Sequence, residues 1–217
     1  MTDVLVSLFA ILISIVLHEV AHGYTAYLLG DNTAYRYGRL SLNPIRHIDI
    51  FGTILFPLML ILSKAGFVFG WAKPVPVDFN ALKKPKIGIV LVSAAGIVTN
   101  ILLAILCSKM LPLINNITPL EIQKILHIFL VDMIFYNILL AIFNILPIPP
   151  LDGSKILLGW SNNQIIQRYL DADKIGTAFI VFAAFIIPAF GGYLGYNWNY
   201  FGSFIINSTR YFINMLI

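Results

Sequence analysis

Apolar residues run almost unbroken over residues 4–29, 87–111 and 125–146, and two further runs cover about 174–190 and 198–217. At ~1.5 Å of rise per helical residue, the first three are long enough to cross a hydrocarbon core of ~30 Å. Polar punctuation separates them. Gly30-Asp31-Asn32 stops the first run, glycine being favoured just past a helix end. Residues 112–119 form a short polar turn, and Glu121 falls in the first turn of the next helix, where negative charge suits the helix dipole. Pro147, Pro149 and Pro150 end the third run, and a short amphipathic helix is predicted over 155–167. Two stretches break the pattern. Residues 51–62 are apolar but short and interrupted by Pro57, which predicts a re-entrant or interfacial segment. Residues 66–77 mix β-branched and aromatic residues with Pro74 and Pro76, which predicts an edge or irregular strand in a β-hairpin-like element.

Composition turns these runs into a class. The chain is 59% hydrophobic and 11% charged, with a mean hydropathy of +0.87; a soluble domain carries roughly 25% charged residues. The expectation is an all-α polytopic membrane protein: a bundle of about five transmembrane helices in one domain over 1–217. Its core would lie at about 4–160, with two additional C-terminal helices at about 174–217. Met1-Thr2-Asp3 lacks the positive start of a signal peptide, so the first run is expected to be a permanent segment. The single cysteine, Cys107, allows no intrachain disulfide. The net charge of +4 sits mostly in loops, where it reports membrane orientation and not nucleic-acid binding.

Candidate chemistry lies inside the first run, as His18-Glu19-Val20-Ala21-His22. Residues four apart share a helix face, so His18 and His22 can present two imidazoles to one metal ion. Zinc is the usual occupant of such a site, and Glu19 would be the general base for the attacking water. Ionisable groups in a membrane helix are costly to bury and functional by default. A third protein ligand is needed. The metzincin position six residues beyond His22 holds Leu28, and the chain has only Glu19 and Glu121 as glutamates. Asp152 stands out because the prolines before it break the helix, and broken backbone at membrane depth lines a cavity or lies within protein.

Topology constrains that pairing. His18 and His22 lie in the C-terminal half of the first span, and Asp152 lies just past the C-terminal end of the third. They meet only if an even number of crossings separates them, so the spans at 87–111 and 125–146 suffice and 51–62 cannot also cross. Arg36, Arg39, Arg46, Lys64, Lys73, Lys83, Lys84, Lys86, Lys155, Arg168 and Lys174 then fall on the site's side, which the positive-inside bias makes cytoplasmic.

His18-Glu19-x-x-His22, Leu151-Asp152-Gly153 and Gly96-x-x-x-Asn100 together resemble the site-2 protease family of intramembrane metalloproteases. Asn43-Pro44-x-x-His47-Ile48-Asp49 and the stretch 70–77 are similar to its compact prokaryotic branch, and the likeness covers roughly residues 8–160. The resemblance implies a zinc protease cleaving transmembrane segments of other membrane proteins, in regulated intramembrane proteolysis. Relatives commonly carry a PDZ or CBS domain for substrate selection, and neither fits beside the bundle here. Gly96-Ile97 stands where Gly-Pro is frequent. The resemblance also marks Asn144, eight residues before Asp152, as an amide donor to the oxyanion, and Asn100 as a polar residue supporting the same region. Either could instead be an ordinary interhelical hydrogen bond. An edge strand at 66–77 would hold an unwound substrate by β-addition. His47 is expected as a solvated loop residue, and Asp132 near the outer surface has no assigned role. A metal transporter or an inactive scaffold are the other classes; a transporter has no use for a glutamate beside the first histidine. Proteases acting on prenylated proteins share the first motif but need a downstream glutamate missing here.

Overall fold

The computed structural model describes residues 2–55, 58, 59, 62, 72–116, 119–161, 168 and 172–217, and among these it is helical, with no strand. Helix α1 (Thr2–Leu28) opens with Asp3 in its first turn, where the dipole favours it. It ends in a Schellman turn: Gly30 takes φ 110°, its N–H donates to the Tyr27 carbonyl, and the Asp31 N–H donates to the Ala26 carbonyl. The one-turn helix α2 (Thr33–Arg36) follows. Helix α3 (Pro85–Met110) starts on a proline, whose missing N–H costs nothing there, and continues as a 3-10 turn through Leu111–Asn116. Helix α4 (Leu120–Asn144) begins five residues before the expected 125, because Pro119 and Glu121 make a good helix start.

Helices α1, α3 and α4 pack on one another and form the centre of the bundle. Small buried residues, among them Ala10, Gly96 and Ala104, let the backbones approach, as helix association in lipid requires. Outward faces carry Leu8, Phe9, Leu102, Leu106 and Ile122 exposed, an arrangement that suits lipid and not water. The short helix α5 (Asp152–Trp160) packs on α3. It starts three residues earlier than expected, since a helix N-terminus accommodates the Asp152 carboxylate. Helix α6 (Asp173–Val181) passes through a π-turn, Phe182–Ile186, into helix α7 (Ile187–Tyr193). Pro188 accounts for the widened turn, as it removes an N–H and crowds the carbonyl one turn back.

Among the described residues, four stretches are long and apolar enough to cross a membrane: Thr2–Leu28, Pro85–Asn115, Leu120–Asn144 and Asp173–Tyr193. The fifth expected span forms helix α8 (Tyr200–Leu216), which packs on α4 but has only 17 residues, ~26 Å, short of a full crossing. Parts of the expected re-entrant and hairpin elements, including residues 66–71, lie outside the described residues. Of the first, Ile50–Leu55 is a π-turn; of the second, residues 72–78 are extended chain without strand pairing. The Lys83 N–H donates to the Leu29 carbonyl at 3.1 Å, so residues 30–82 leave and return to the same end of α1.

Candidate active site

One helical turn separates His18 from His22 on the buried face of α1, and their rings meet edge to face with centroids 4.5 Å apart. The His22 Nδ1–H donates to the Val92 carbonyl of α3 at 2.7 Å, and the His18 Nδ1 bonds the Asn100 Oδ1 at 2.6 Å. A backbone carbonyl can only accept, so His22 carries its proton on Nδ1 and turns a bare Nε2 inward. The two Nε2 atoms lie 3.0 Å apart, and the Asp152 Oδ2 lies 3.3 Å from one and 3.2 Å from the other. That oxygen is buried without a hydrogen-bond donor. Three lone pairs converging in a buried pocket repel unless a cation sits among them. Tetrahedral zinc with bonds of ~2.0–2.1 Å holds neighbouring ligand atoms roughly 3.3 Å apart. The three distances match that edge length, so these residues fit zinc, and they are the described residues whose ligand atoms gather within 4.8 Å.

The rest of the resembling motifs has a steric account. A Cβ on Gly96 would lie 2.5 Å from His18 Cε1 and from His22 Nε2, so only glycine lets α3 close against the imidazoles. Asn100, one turn on, then reaches His18. A Cβ on Gly153 would run into the Ile145 carbonyl, so glycine allows α5 to start against the end of α4. Ser154 donates from both N–H and Oγ to the Leu151 carbonyl, which holds the turn carrying Asp152.

A cavity of about 410 Å³ opens over this cluster, lined by Glu19, Asn144, Lys155 and Val75 among others. Glu19 Oε2 accepts the Val75 N–H at 2.7 Å, and Asn144 Nδ2 donates to the Leu140 carbonyl of its own helix. Segment 72–78 lines the site and is held by four ties. Arg39 donates to the Lys73 and Pro74 carbonyls, the Lys73 N–H reaches the His47 carbonyl, Val75 holds Glu19, and the Asp78 N–H donates to Asp31 Oδ2. Asp31 also accepts the Thr33 N–H. Burial pushes the Asp31 carboxyl up, but its Thr33 and Asp78 hydrogen bonds outweigh this and hold it below the usual carboxylate range.

Asn100 is fully buried behind the site: its Oδ1 serves His18 and its Nδ2 donates to Asn137 Oδ1. Two expectations need correction. His47 is 1% exposed and stands apart from the metal cluster, its Nε2 bonding the Ser41 carbonyl. Arg39 is buried, not a solvated loop charge. Asn137, Arg39 and Lys155 carry no sequence motif. Only Asn137 had a signal: a polar residue two turns from Asn144 on the same face of an apolar helix. Asp132 accepts a hydrogen bond from Ser7 at 2.5 Å.

Residues 108–189 match the profile described as Peptidase family M50. Over 187 residues the chain is 39% identical to a Bacillus subtilis (strain 168) protein named as a zinc metalloprotease, YwhC, spanning 85% of this chain and 81% of that protein. The chain belongs to peptidase family M50, the site-2 proteases. Two relatives named as zinc metalloprotease Rip2 match at lower identity. The Mycolicibacterium smegmatis protein is 30% identical over 182 residues, covering 82% of this chain and 65% of its own length. The Mycobacterium tuberculosis (strain H37Rv) protein is 26% identical over 182 residues, covering 84% and 67%. No solved structure matches the chain. As an M50 member with four span-length helices, it is an intramembrane zinc metalloprotease acting on protein substrates.

Proposed function

We propose that this M50 protease hydrolyses peptide bonds within transmembrane segments of other membrane proteins, with His18, His22 and Asp152 holding its zinc and Glu19 as general base. The observation that carries the proposal is the bare His–His–Asp triangle beside Glu19, at the foot of a cavity inside a lipid-facing bundle. Zinc held there supplies Lewis-acid polarisation of a carbonyl and a water acidified toward neutral pH. Glu19 keeps one carboxylate oxygen on the Val75 N–H, which orients it, and uses the other to take the proton from the attacking water and pass it to the leaving amine. Asn144 spends one amide hydrogen on Leu140 and has a second for the developing oxyanion. Asn100 acts through His18 by orienting the ring. Segment 72–77 clamps the unwound substrate beside the cavity as an added strand would. The bundle lies in the cell membrane as a multi-pass protein over 1–217, with the active-site end, rich in Lys and Arg, on the cytoplasmic side. Family membership favours this reading over the transporter and scaffold alternatives.

The test is zinc content and cleavage of a model transmembrane substrate in detergent, for the wild type, Glu19→Gln and Asp152→Asn. The wild type should hold about one zinc and cleave. Glu19→Gln should keep the metal and lose ~10²–10⁴ in rate, and Asp152→Asn should bind zinc more weakly. Cleavage by Glu19→Gln at the wild-type rate, or unchanged zinc affinity in Asp152→Asn, overturns the assigned roles.

A further inference from the structure

A line of buried polar side chains runs from the metal cluster through Asn100 into the middle of the bundle, and its inner members, Asn137 and Ser14, have no part in the chemistry above. The Asn137 Nδ2 of α4 donates to the Met133 carbonyl at 2.7 Å and to Ser14 Oγ at 2.8 Å. Ser14 spends its own hydrogen on the Ala10 carbonyl at 2.8 Å, so toward Asn137 it accepts. The Asn137 Oδ1 therefore faces Asn100 and takes its Nδ2–H at 2.7 Å. That leaves the Asn100 Oδ1 pointing at the His18 Nδ1, 2.6 Å away. Ser14, Asn100 and Asn137 are each 0% exposed, so no water substitutes for a lost partner.

The line has one direction. The Met133 carbonyl can only accept, which fixes which end of the Asn137 amide faces it. Flipping Asn137 would set its oxygen against the Met133 carbonyl and its NH₂ against the Asn100 NH₂. Flipping Asn100 alone would set two oxygens together and turn its NH₂ toward His18. In each case buried donors or acceptors lose their partners, which an apolar interior penalises heavily.

We propose that Asn137, with Ser14 as its second anchor, is the positioning residue that sets the protonation pattern of His18. It does so through Asn100: the proton is held on Nδ1, and Nε2 stays bare toward Asp152 and His22. The inference rests on the zinc-protease reading for its purpose, although the proton pattern itself belongs to the metal-free chain. Residue types argue the same way. Asparagine carries a donor and an acceptor on one short rigid plane, which the line needs at both positions. His22 needs no such device, because the Val92 backbone carbonyl sets its tautomer directly.

Full-length protein labelled with ¹⁵N-histidine, in detergent, free of metal and at a pH alkaline enough to keep both imidazoles neutral, reports the tautomer of each ring by NMR. The His18 signals are assigned by their loss in His18→Gln. Zinc affinity is measured on the same samples by competition with a chromophoric chelator. Wild-type His18 should show Nδ1–H. Asn137→Leu removes the acceptor for Asn100, so His18 should move toward Nε2–H and zinc should bind ~10–100-fold more weakly. Asn137→Asp, buried as the neutral acid, can still donate to Met133 and accept from Asn100. It should keep the wild-type tautomer, with zinc affinity within about threefold of the wild type. The His22 signals should hold in both variants.

An Nε2–H tautomer in wild-type His18, or an Asn137→Leu protein that folds and matches the wild type in both readouts, overturns the inference. If Asn137→Leu does not fold, the wild-type tautomer and the Asn137→Asp spectrum decide it. A wild type with the Nδ1–H pattern but no zinc would sink the protease reading and leave this one standing. A zinc-loaded, cleaving wild type indifferent to Asn137→Leu would do the reverse.

Discussion

Gly96 is the residue that most tightly limits the site. With both imidazoles within 2.5 Å of where its Cβ would stand, Gly96→Ala must push α3 away or turn the rings off their common point. The surrounding helices are packed on both sides, so the shift falls on His18 and His22. Zinc affinity of Gly96→Ala should drop at least ~10-fold, comparable with losing a residue that orients a ligand, and cleavage should fall with it. Chelator competition reads the first and the model substrate the second; wild-type affinity in the variant would show that the rings can move apart without cost. At this scale the two histidines differ in kind. His22 is oriented by backbone and is insensitive to side-chain changes around it, whereas His18 depends on an amide.

Segment 72–78 is the element that decides access. It carries no ladder hydrogen bonds among the described residues and owes its place to side chains below it. Arg39→Met keeps most of the volume but gives up the bonds to the Lys73 and Pro74 carbonyls. The amides of Lys73, Val75 and Asp78 should then exchange hydrogen faster, and KM should rise ~10-fold with zinc content unchanged. That is the scale expected for hydrogen bonds from a charged donor; equal exchange in the two proteins would mean the segment is held elsewhere. Asp31 ties the other end. Its carboxyl is depressed in the folded protein, so its contribution to stability is complete above the ordinary carboxylate value of ~3.9. It disappears as pH falls through the lower folded value. Thermal unfolding in detergent should show a wild-type midpoint that is steady from neutral pH to ~5 and falls below ~4. Asp31→Asn turns an NH₂ toward the Asp78 N–H and should be destabilised by ~1–3 kcal/mol at pH 7, without that acid limb. A midpoint at pH 7 equal to the wild type would remove Asp31 from the account.

For the whole molecule the question is which ends share a side. The contact of Asp152 with His18 and His22, and the Lys83–Leu29 hydrogen bond, place both returns at the C-terminal end of α1, with α3 and α4 as the two crossings between. Lys83, Lys84, Lys86 and Lys155 lie at that end, and Lys109 in the last turn of α3 marks the other. The orientation proposed above puts the first end on the cytoplasmic side, as the charge bias favours. In a Cys107→Ser background expressed in bacterial cells, a cysteine at Lys84 should react with an impermeant maleimide only after permeabilisation. One at Asn115 should react from outside. Labelling in the opposite pattern would invert the orientation while leaving the site geometry intact.

Local chemistry made much of this readable before any fold was known. Apolar length alone marked the spans, because in lipid a helix must satisfy its own backbone. Two histidines four apart share a face by helical period. Asp152 could be singled out because the prolines before it interrupt a span and few other carboxylates were available. Each of these depends on neighbours within a few residues or on counting crossings. The remainder depends on which surfaces meet. That α8 is a turn short had no legible cause in the sequence, and the π-turn joining α6 to α7 follows from Pro188 acting on a packed chain. Asn137 and Asn100 are 37 residues apart and become partners only where α3 crosses α4. Arg39 and His47 read as loop charges because burial has no sequence signature when the covering segment is itself irregular. The candidate ligands were a matter of sequence; how those side chains are held and covered was settled by the packing of α3 and α4 against α1.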